Sequence, residues 1–484
     1  MTVRIVIFEA VTAGGLGGPV ASGPCESVNS EAVPFALRQE ALAMVAGLTA
    51  DCCAAFDAFD RGCKKQPISE TEFPTGERCI PWLLGSLFSL HVPDDSRCPH
   101  TVETFWRRDD QNGSSQDRVD SNLLPIINSV LPRVEPYRSA DLKSQVECWD
   151  PIREHRLLTA QVFLPSKTRW DLPAANRSQA PASFATTSPS SGTQLETIVV
   201  DDPARLSQQW KEAVQNADAA ILIAPQPDMQ QWMAVLGSSN KVLGWPLELL
   251  PRAEDKRYLT SVPSLVVGSY DRCWRFAVHD SISPTVASDS DCDVLTFYET
   301  RLASATSWAL KPTNQCGGND VWRISLVAPL PEFANAKCVV QRLRELVSCE
   351  TFGEQELLWS PWVAGESGSL SLFATSTGWW CFPPCRQILK FEEVTVPSEL
   401  LPWVKQLHKV NYVGSELDPQ LLTSGTFDLL WQQFAAKLEH RERLSIRGWF
   451  GIDFVAATPE QPILIEVNPR LTSSYNLLRQ LRWA

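Results

Sequence analysis

The run ILIEVNP at 463–469, taken with WFGIDFVAA at 449–457, restricts the fold of this chain more than any other stretch. Both runs are apolar and of strand length, and only the turn-rich TPEQP separates them, which predicts an antiparallel hairpin. Centring the hairpin in that turn sets Asp453 opposite Glu466. Alternation then puts Gly451, Asp453 and Val455 on one face with Leu464, Glu466 and Asn468. Ile452, Phe454, Ile465 and Val467 form the other face, which reads as core. Two carboxylates directly across a sheet repel each other, so a positive group is needed between them. Carboxylate and amide oxygens suit a hard cation, and magnesium commonly takes one or two carboxylates plus substrate phosphates. A solvent-exposed face with water-screened charges satisfies the same pattern, and the hairpin alone leaves both readings open.

SWALKPTNQCGGNDVW at 307–322 moves the balance toward the cation. It reads as a strand ending in Lys311, a loop containing Gly317 and Gly318, and a second strand. A lysine at a strand end meets phosphates as a point charge, and a glycine loop brings backbone N–H groups against them. A lysine before a turn is also, more often, a solvated surface residue. No GxxxxGK[ST] run occurs, so this is not a P-loop. TAGGLGGPVASGP at 12–24 imitates a dinucleotide fingerprint, but the third glycine is missing and Pro19 stands where the helix would start. GESGS at 365–369 fails as a serine-hydrolase elbow because Ser369 occupies the final glycine position; it reads as the start of a strand.

A chain of 484 residues suits about three domains. Its net charge of −13 argues against a nonspecific grip on nucleic acid or anionic membranes, while leaving room for a local basic pocket. The 14 cysteines show no recurring CxxC spacing and read as buried reduced thiols; the 6 histidines are scattered and suggest no metal site. The apolar run IPWLLGSLFSL at 80–90 is too short to span a bilayer and reads as a core helix. MTVRIVIFEAV reads as a first strand, since Glu9 interrupts the apolar core a signal peptide needs. A cytoplasmic location is therefore expected.

Along the chain, 3–8 is a strand and 33–56 has helical spacing at Leu37, Leu42, Val45 and Leu48. Residues 62–150 are irregular, and the Ser/Pro/Ala-rich 174–194 reads as a disordered loop. A strand at 196–202, a helix over 204–216 and a strand at 219–226 give a β-α-β order that suggests an open parallel sheet. Strands are expected at 263–269, 307–312 and 317–328, with 337–346 as a connecting segment. The helix expected over 424–442 buries Phe427, Leu430, Trp431, Phe434 and Leu438.

The strand with Lys311, its glycine loop, VVQRL and GIDF…ILIEVNPR together resemble the ATP-grasp superfamily of carboxylate–amine ligases over roughly 250–484. The resemblance implies an α/β and α+β chain: a pre-ATP-grasp open-sheet domain over 1–250, carrying the irregular insertion at 62–150, then a two-subdomain ATP-grasp fold. The smaller subdomain would span 251–345 and the larger, metal- and substrate-binding one 346–484. ATP and Mg2+ are the implied cofactors, with Asp453, Glu466 and Asn468 on the metal. Lys311, Lys256 and the Gly317–Gly318 loop would contact ATP, and Gln341, Arg342 and Leu343 match the linker along adenine. Arg470 is the candidate for holding the substrate carboxylate or acyl phosphate, against a structural ion pair with Glu466. Thr472 and Ser473 either touch substrate or cap a helix beginning near Tyr475.

Shorter matches, in IVIFEAVTAGG, LRQEALAMVAGLTAD, AAILIAPQ and EVNPRLTSSY, resemble the branch of tyramine–glutamate ligases of methanofuran biosynthesis and relatives in tetrahydromethanopterin-linked one-carbon metabolism. The implied partners are a small carboxylate and an amine, with neither nucleic acid nor membrane. Two positions depart from the family pattern. Gly451 stands where many members have arginine, so a phosphate contact would fall to Arg470 or Arg447, and Gln226 stands where the branch often has Glu. A site without turnover, serving as an ATP-binding regulator or scaffold, is the alternative these departures raise.

Overall fold

The computed structural model describes residues 4–10, single positions between 41 and 84, 100–107, 193–200, 205–225, 228–237, 241–267 without 257, 274–277, 295, 298–313, 321–347, 356–374, 379–418, 420–422, 424–458 and 461–478. Gly317, Gly318, Gln226 and the stretch expected to be a disordered loop up to 192 lie outside them.

Two sheets organise these residues. The first is parallel and four-stranded, in the order β3-β2-β1-β4, with β1 at Arg4–Glu9, β2 at His100–Arg107, β3 at Thr193–Val200 and β4 at Ala219–Ile223. The β-α-β expectation holds for β3, the helix Leu206–Asn216 and β4. The region 62–150 is not irregular throughout, because β2 lies inside it and pairs along β1. Its sequence, HTVETFWR, is short and mixes polar with apolar residues, so periodicity alone does not mark it.

The second sheet has eleven strands. β5 (Ser264–Val267), β6 (Trp274–Ala277), β7 (Ser307–Pro312), β8 (Val321–Leu326) and β9 (Leu357–Pro361) make one half of it. β10 (Glu366–Ala374), β11 (Trp379–Cys381), β12 (Cys385–Val394), β13 (Val404–Leu417), β14 (Gly448–Thr458) and β15 (Gln461–Asn468) make the other. The halves meet where β8 pairs antiparallel with β13. Because β9 pairs with both β5 and β7, residues 357–361 stand with the Lys311 strand and not with the C-terminal half.

The cores follow this division. Leu265, Trp308, Leu310, Val339, Val340, Leu343 and Trp359 belong to one cluster around β5, β7 and β9. A second core runs from Phe8 of the parallel sheet and Trp210 of the helix Leu206–Asn216 to Phe434, Phe450 and Phe454 behind β14. The apolar stripe of the C-terminal helix, Phe427, Leu430, Trp431, Phe434 and Leu438, is buried as its spacing predicts. The helix itself ends at Ala435, and a separate short helix, His440–Ser445, begins with a capping box of Glu439 and Glu442.

A third cluster joins Ile5, Ile7, Leu48 and Cys52 to Phe373, Trp449 and Tyr475. Within it the Tyr475 hydroxyl donates to Asp51 Oδ2 at 2.6 Å, across 424 residues of sequence. A fully buried carboxylate must have its hydrogen bonds met inside the protein, so this bond ties the helical stretch after β1 to the segment that follows β15. Tyr475→Phe keeps the ring packing and removes that donor. It should lower unfolding free energy by about 1.5–3 kcal/mol in denaturant melts.

Candidate active site

β14 and β15 pair as the hairpin expected, with Asp453 opposite Glu466 and Gly451 opposite Asn468. The alternation is not continuous, however. Next to the Asp453–Glu466 pair, Phe454 pairs with Leu464, which leaves Ile465 as the extra residue of a β-bulge. The phase slips by one there. Leu464 therefore turns into the core beside Phe454, and Ile465 joins the polar face, the reverse of the simple pattern.

The positive groups demanded by two facing carboxylates come from β7 and from the segment before β5. Lys311 is the next-to-last residue of β7; alternation puts it on the cavity face with Ala309, opposite the core residues Trp308 and Leu310, and its side chain is buried there. Lys256 follows the short helix Leu250–Glu254, and its backbone N–H donates to Thr313 O at 3.2 Å, which holds it beside the end of β7. Both ammonium groups reach Glu466 Oε2, Lys256 at 3.2 Å and Lys311 at 3.4 Å. Asp453 Oδ2 instead accepts from Asn468 Nδ2 at 3.0 Å.

These surroundings drive the two carboxyls apart. Burial, and then the charge of Glu466, push Asp453 well above the ordinary carboxylate range, against hydrogen bonds from Asn468 and Gln387. Burial disfavours ionised Glu466 as well, but the Lys256 and Lys311 charges outweigh it and hold that carboxyl below its usual range. Burial pulls Lys311 down, with Glu466 opposing and Lys256 adding to the shift.

All of these residues line one cavity of about 810 Å3, together with Arg470. Arg470 does not pair with Glu466. Its Nη1 donates to Leu471 O at 3.1 Å, and its Nε is buried without a partner. The hydroxyls of Thr472 and Ser473 go to Ser474 and Tyr412, at 2.8 and 3.0 Å, and the turn into Tyr475–Leu478 is closed by their backbone carbonyls instead. Arg447 does not line the cavity; its Nη1 donates to Ile446 O at 2.7 Å.

One assignment is overturned. Gln341, Arg342 and Leu343 are not a linker but part of the helix Phe333–Val347. Leu343 packs with Val339 and Val340 in the core under β7, while Gln341 and Arg342 face outward, and none of the three lines the cavity. Spacing of apolar residues at 339, 340 and 343 is helical, a signal that the motif match overrode. The segment that does cross along the cavity is the end of β9 and its link to β10, which contributes Ser360, Pro361, Trp362 and Val363. Its sequence mark is Pro361 and Gly365 set between two strand runs. Gly365 has φ +149°, and a Cβ there would press into the Ala456 carbonyl.

Gly451 is explained by its neighbour. A Cβ at this position would stand 2.9 Å from Thr472 Cγ2, so the space above the strand is already taken.

Among the described residues no group of three or more His, Cys, Asp or Glu gathers as a self-sufficient metal cage. Two carboxylates and an amide beside buried lysines fit magnesium, which usually completes its shell with waters and substrate phosphates. Also among the described residues, no helix is long and apolar enough to cross a membrane.

The fold is the ATP-grasp fold, and residues 295–474 match the ATP-grasp domain family, whose enzymes use ATP and Mg2+. Among solved structures the chain is similar to a D-cycloserine synthetase, at 13% identity and TM-score 0.37, over 60% of this chain and 88% of that one. It is similar to a D-alanine–D-alanine ligase from Bacillus anthracis at 13% identity and TM-score 0.34, over 57% and 76%. A protein from Archaeoglobus fulgidus assigned to the ATP-grasp superfamily is similar over 98% of this chain and 83% of its own, at 12% identity and TM-score 0.38. No curated protein sequence matches the chain.

Opposite stability effects are expected at the two carboxylates. The folded state holds a proton on Asp453 at higher pH than the unfolded chain does, so stability falls as pH rises between those two values. Asp453→Asn cannot ionise; it should raise the stability of the metal-free protein by on the order of 1 kcal/mol at pH 8, and by less at pH 5. Glu466→Gln leaves two buried ammonium groups without their carboxylate and should cost about 3 kcal/mol or more. Thermal melts of both variants in chelator at the two pH values decide this.

Proposed function

We propose that this protein is an ATP- and magnesium-dependent ligase that joins a carboxylate to an amine as an amide. The observation that carries this reading is the convergence of Lys256, Lys311, Asp453, Glu466 and Asn468 on one cavity wall. Lys256 and Lys311 bind phosphate oxygens of ATP, exchanging Glu466 for the triphosphate. The Gly317–Gly318 loop that follows Lys311 in sequence supplies backbone N–H groups to the same phosphates. The adenine takes the crossing segment at 360–363. Asp453, Glu466 and Asn468 hold the magnesium, which supplies charge neutralisation on the phosphates.

In the first step a carboxylate oxygen of the substrate bonds to the γ-phosphorus, the bond to the β–γ bridging oxygen breaks, and ADP leaves with that electron pair. In the second step the amine nitrogen attacks the acyl carbon. The acyl carbon–oxygen bond breaks, inorganic phosphate departs with the pair, and the nitrogen loses a proton to give the amide. Phosphoryl transfer of this kind depends on positioning and electrostatics more than on covalent help from side chains. Arg470, whose Nε is buried and unpartnered, holds the carboxylate and then the acyl phosphate.

The resemblance to tyramine–glutamate ligases makes glutamate with tyramine the first pair to assay. A second reading, an ATP-binding scaffold without turnover, is favoured by Thr472 filling the space beside Gly451 that an arginine would need. Magnesium-dependent ADP release across paired acids and amines separates the two. The ligase sustains ADP release over many turnovers only with both substrates, and Asp453→Asn or Lys311→Met lowers the rate by about 100-fold or more. Nucleotide binding without ADP release from any pair would establish the scaffold.

A further inference from the structure

Asp453 has a ladder partner on each side. Glu466 of β15 stands across from it on one side and Ser369 of β10 on the other. β10 pairs in turn with β12, where Ser369 stands across from Cys385. Two residues farther along, alternation puts Ser367 and Gln387 on the same face, and the Ser367 hydroxyl donates to Gln387 Oε1 at 2.7 Å. Ser367, Ser369, Gln387 and Asp453 all line the large cavity. Gln387 reaches across β10 toward Asp453, and its amide donates to the Asp453 carboxyl.

A side-chain amide has one acceptor oxygen and one donor nitrogen, so the bond made at one end fixes what the other end presents. With Oε1 engaged by Ser367, Gln387 turns its Nε2 to Asp453. Asn468 Nδ2 donates to the same carboxyl, at Oδ2, from the β15 side. An ionised carboxyl has about four lone-pair sites, and two amides leave about two for a cation. Carboxylates that ligate metals are themselves held by hydrogen bonds of this kind. A lysine in place of Gln387 would neutralise Asp453, as Lys256 and Lys311 neutralise Glu466. An amide orients the carboxylate and leaves its charge for the metal.

Resting on the ligase reading, we propose that Gln387, locked by Ser367, is a positioning residue for magnesium. It holds the Asp453 carboxylate in the orientation that presents its free lone pairs to the metal, and touches neither metal nor substrate itself.

Manganese affinity of the protein saturated with the β,γ-imido analogue of ATP, read by EPR against the analogue alone, tests this without turnover. Gln387→Leu should weaken manganese binding by about 10- to 100-fold. Ser367→Ala, a milder change, should weaken it in the same direction by less. Affinity for the metal-free analogue should stay unchanged in both. In an Asp453→Ala background Gln387→Leu should cost nothing further, because the group it positions is gone, whereas a general loss of packing would add to the first loss. Additive losses, or Gln387→Leu binding manganese as the parent does while Asp453→Ala does not, would overturn the positioning role and leave the metal site and the ligase intact. Weaker binding of the metal-free analogue by Gln387→Leu would make Gln387 a nucleotide contact and overturn the role as well. Manganese binding unaffected by Asp453→Ala would overturn the metal assignment, and the positioning role with it.

Discussion

Beyond the β8–β13 ladder that makes the large sheet continuous, Glu466 is the point where charged groups from separate parts of the chain meet. Its carboxylate receives Lys311 from β7 and Lys256 from the segment before β5, while the residue itself sits on β15 at the far edge of the other half. The apolar cores do not make this connection, since the cluster around Trp308 and Trp359 is separate from the one behind Phe454. Nearby, Ser261 N donates to Leu464 O at 2.8 Å, so the charged contact is seated on a backbone one. A buried charge is tolerable only with its partner present. The chain thus meets a structural need with the groups that a triphosphate and its magnesium would engage.

That arrangement also sorts the two acids by environment. Glu466 is kept ionised by two neighbours of opposite charge, whereas Asp453 has an amide beside it and a like charge across the ladder. The difference originates in one feature of topology: lysines arriving from β7 and from residue 256 reach the edge strand first. A symmetric hairpin has become an asymmetric pair of acids, one already neutralised and one whose charge calls for a cation.

Much of this site could be read from the sequence, because strand alternation has a period of two and is unforgiving. Asp453 across from Glu466 followed from the turn length alone, and Lys311 was marked by its position at the end of SWALKP. The bulge at Ile465 was not legible, because an extra residue in one strand leaves no compositional trace when both neighbours are apolar. Residues 341–343 match a short linker motif, but the helical spacing of Val339, Val340 and Leu343 is what the fold obeys. Strand β2 escaped notice because its partners, β1 and β3, lie about a hundred residues away on either side and supply the pairing that its own sequence does not advertise. The bond between Tyr412 and Ser473 was invisible for a similar reason. Tyr412 and Ser473 are sixty-one residues apart, and only the fold brings their hydroxyls together.

The close packing of Gly451 against Thr472 has an evolutionary consequence. An arginine at the position of Gly451 would meet Thr472, whose Cγ2 stands 2.9 Å from where the first side-chain carbon would go. Acquiring that arginine in one step would drive a β-branched residue out of its place on the cavity wall, together with its bond to Ser474. The two positions are therefore epistatic. The present pair is a local trap in sequence space as well as a packing contact.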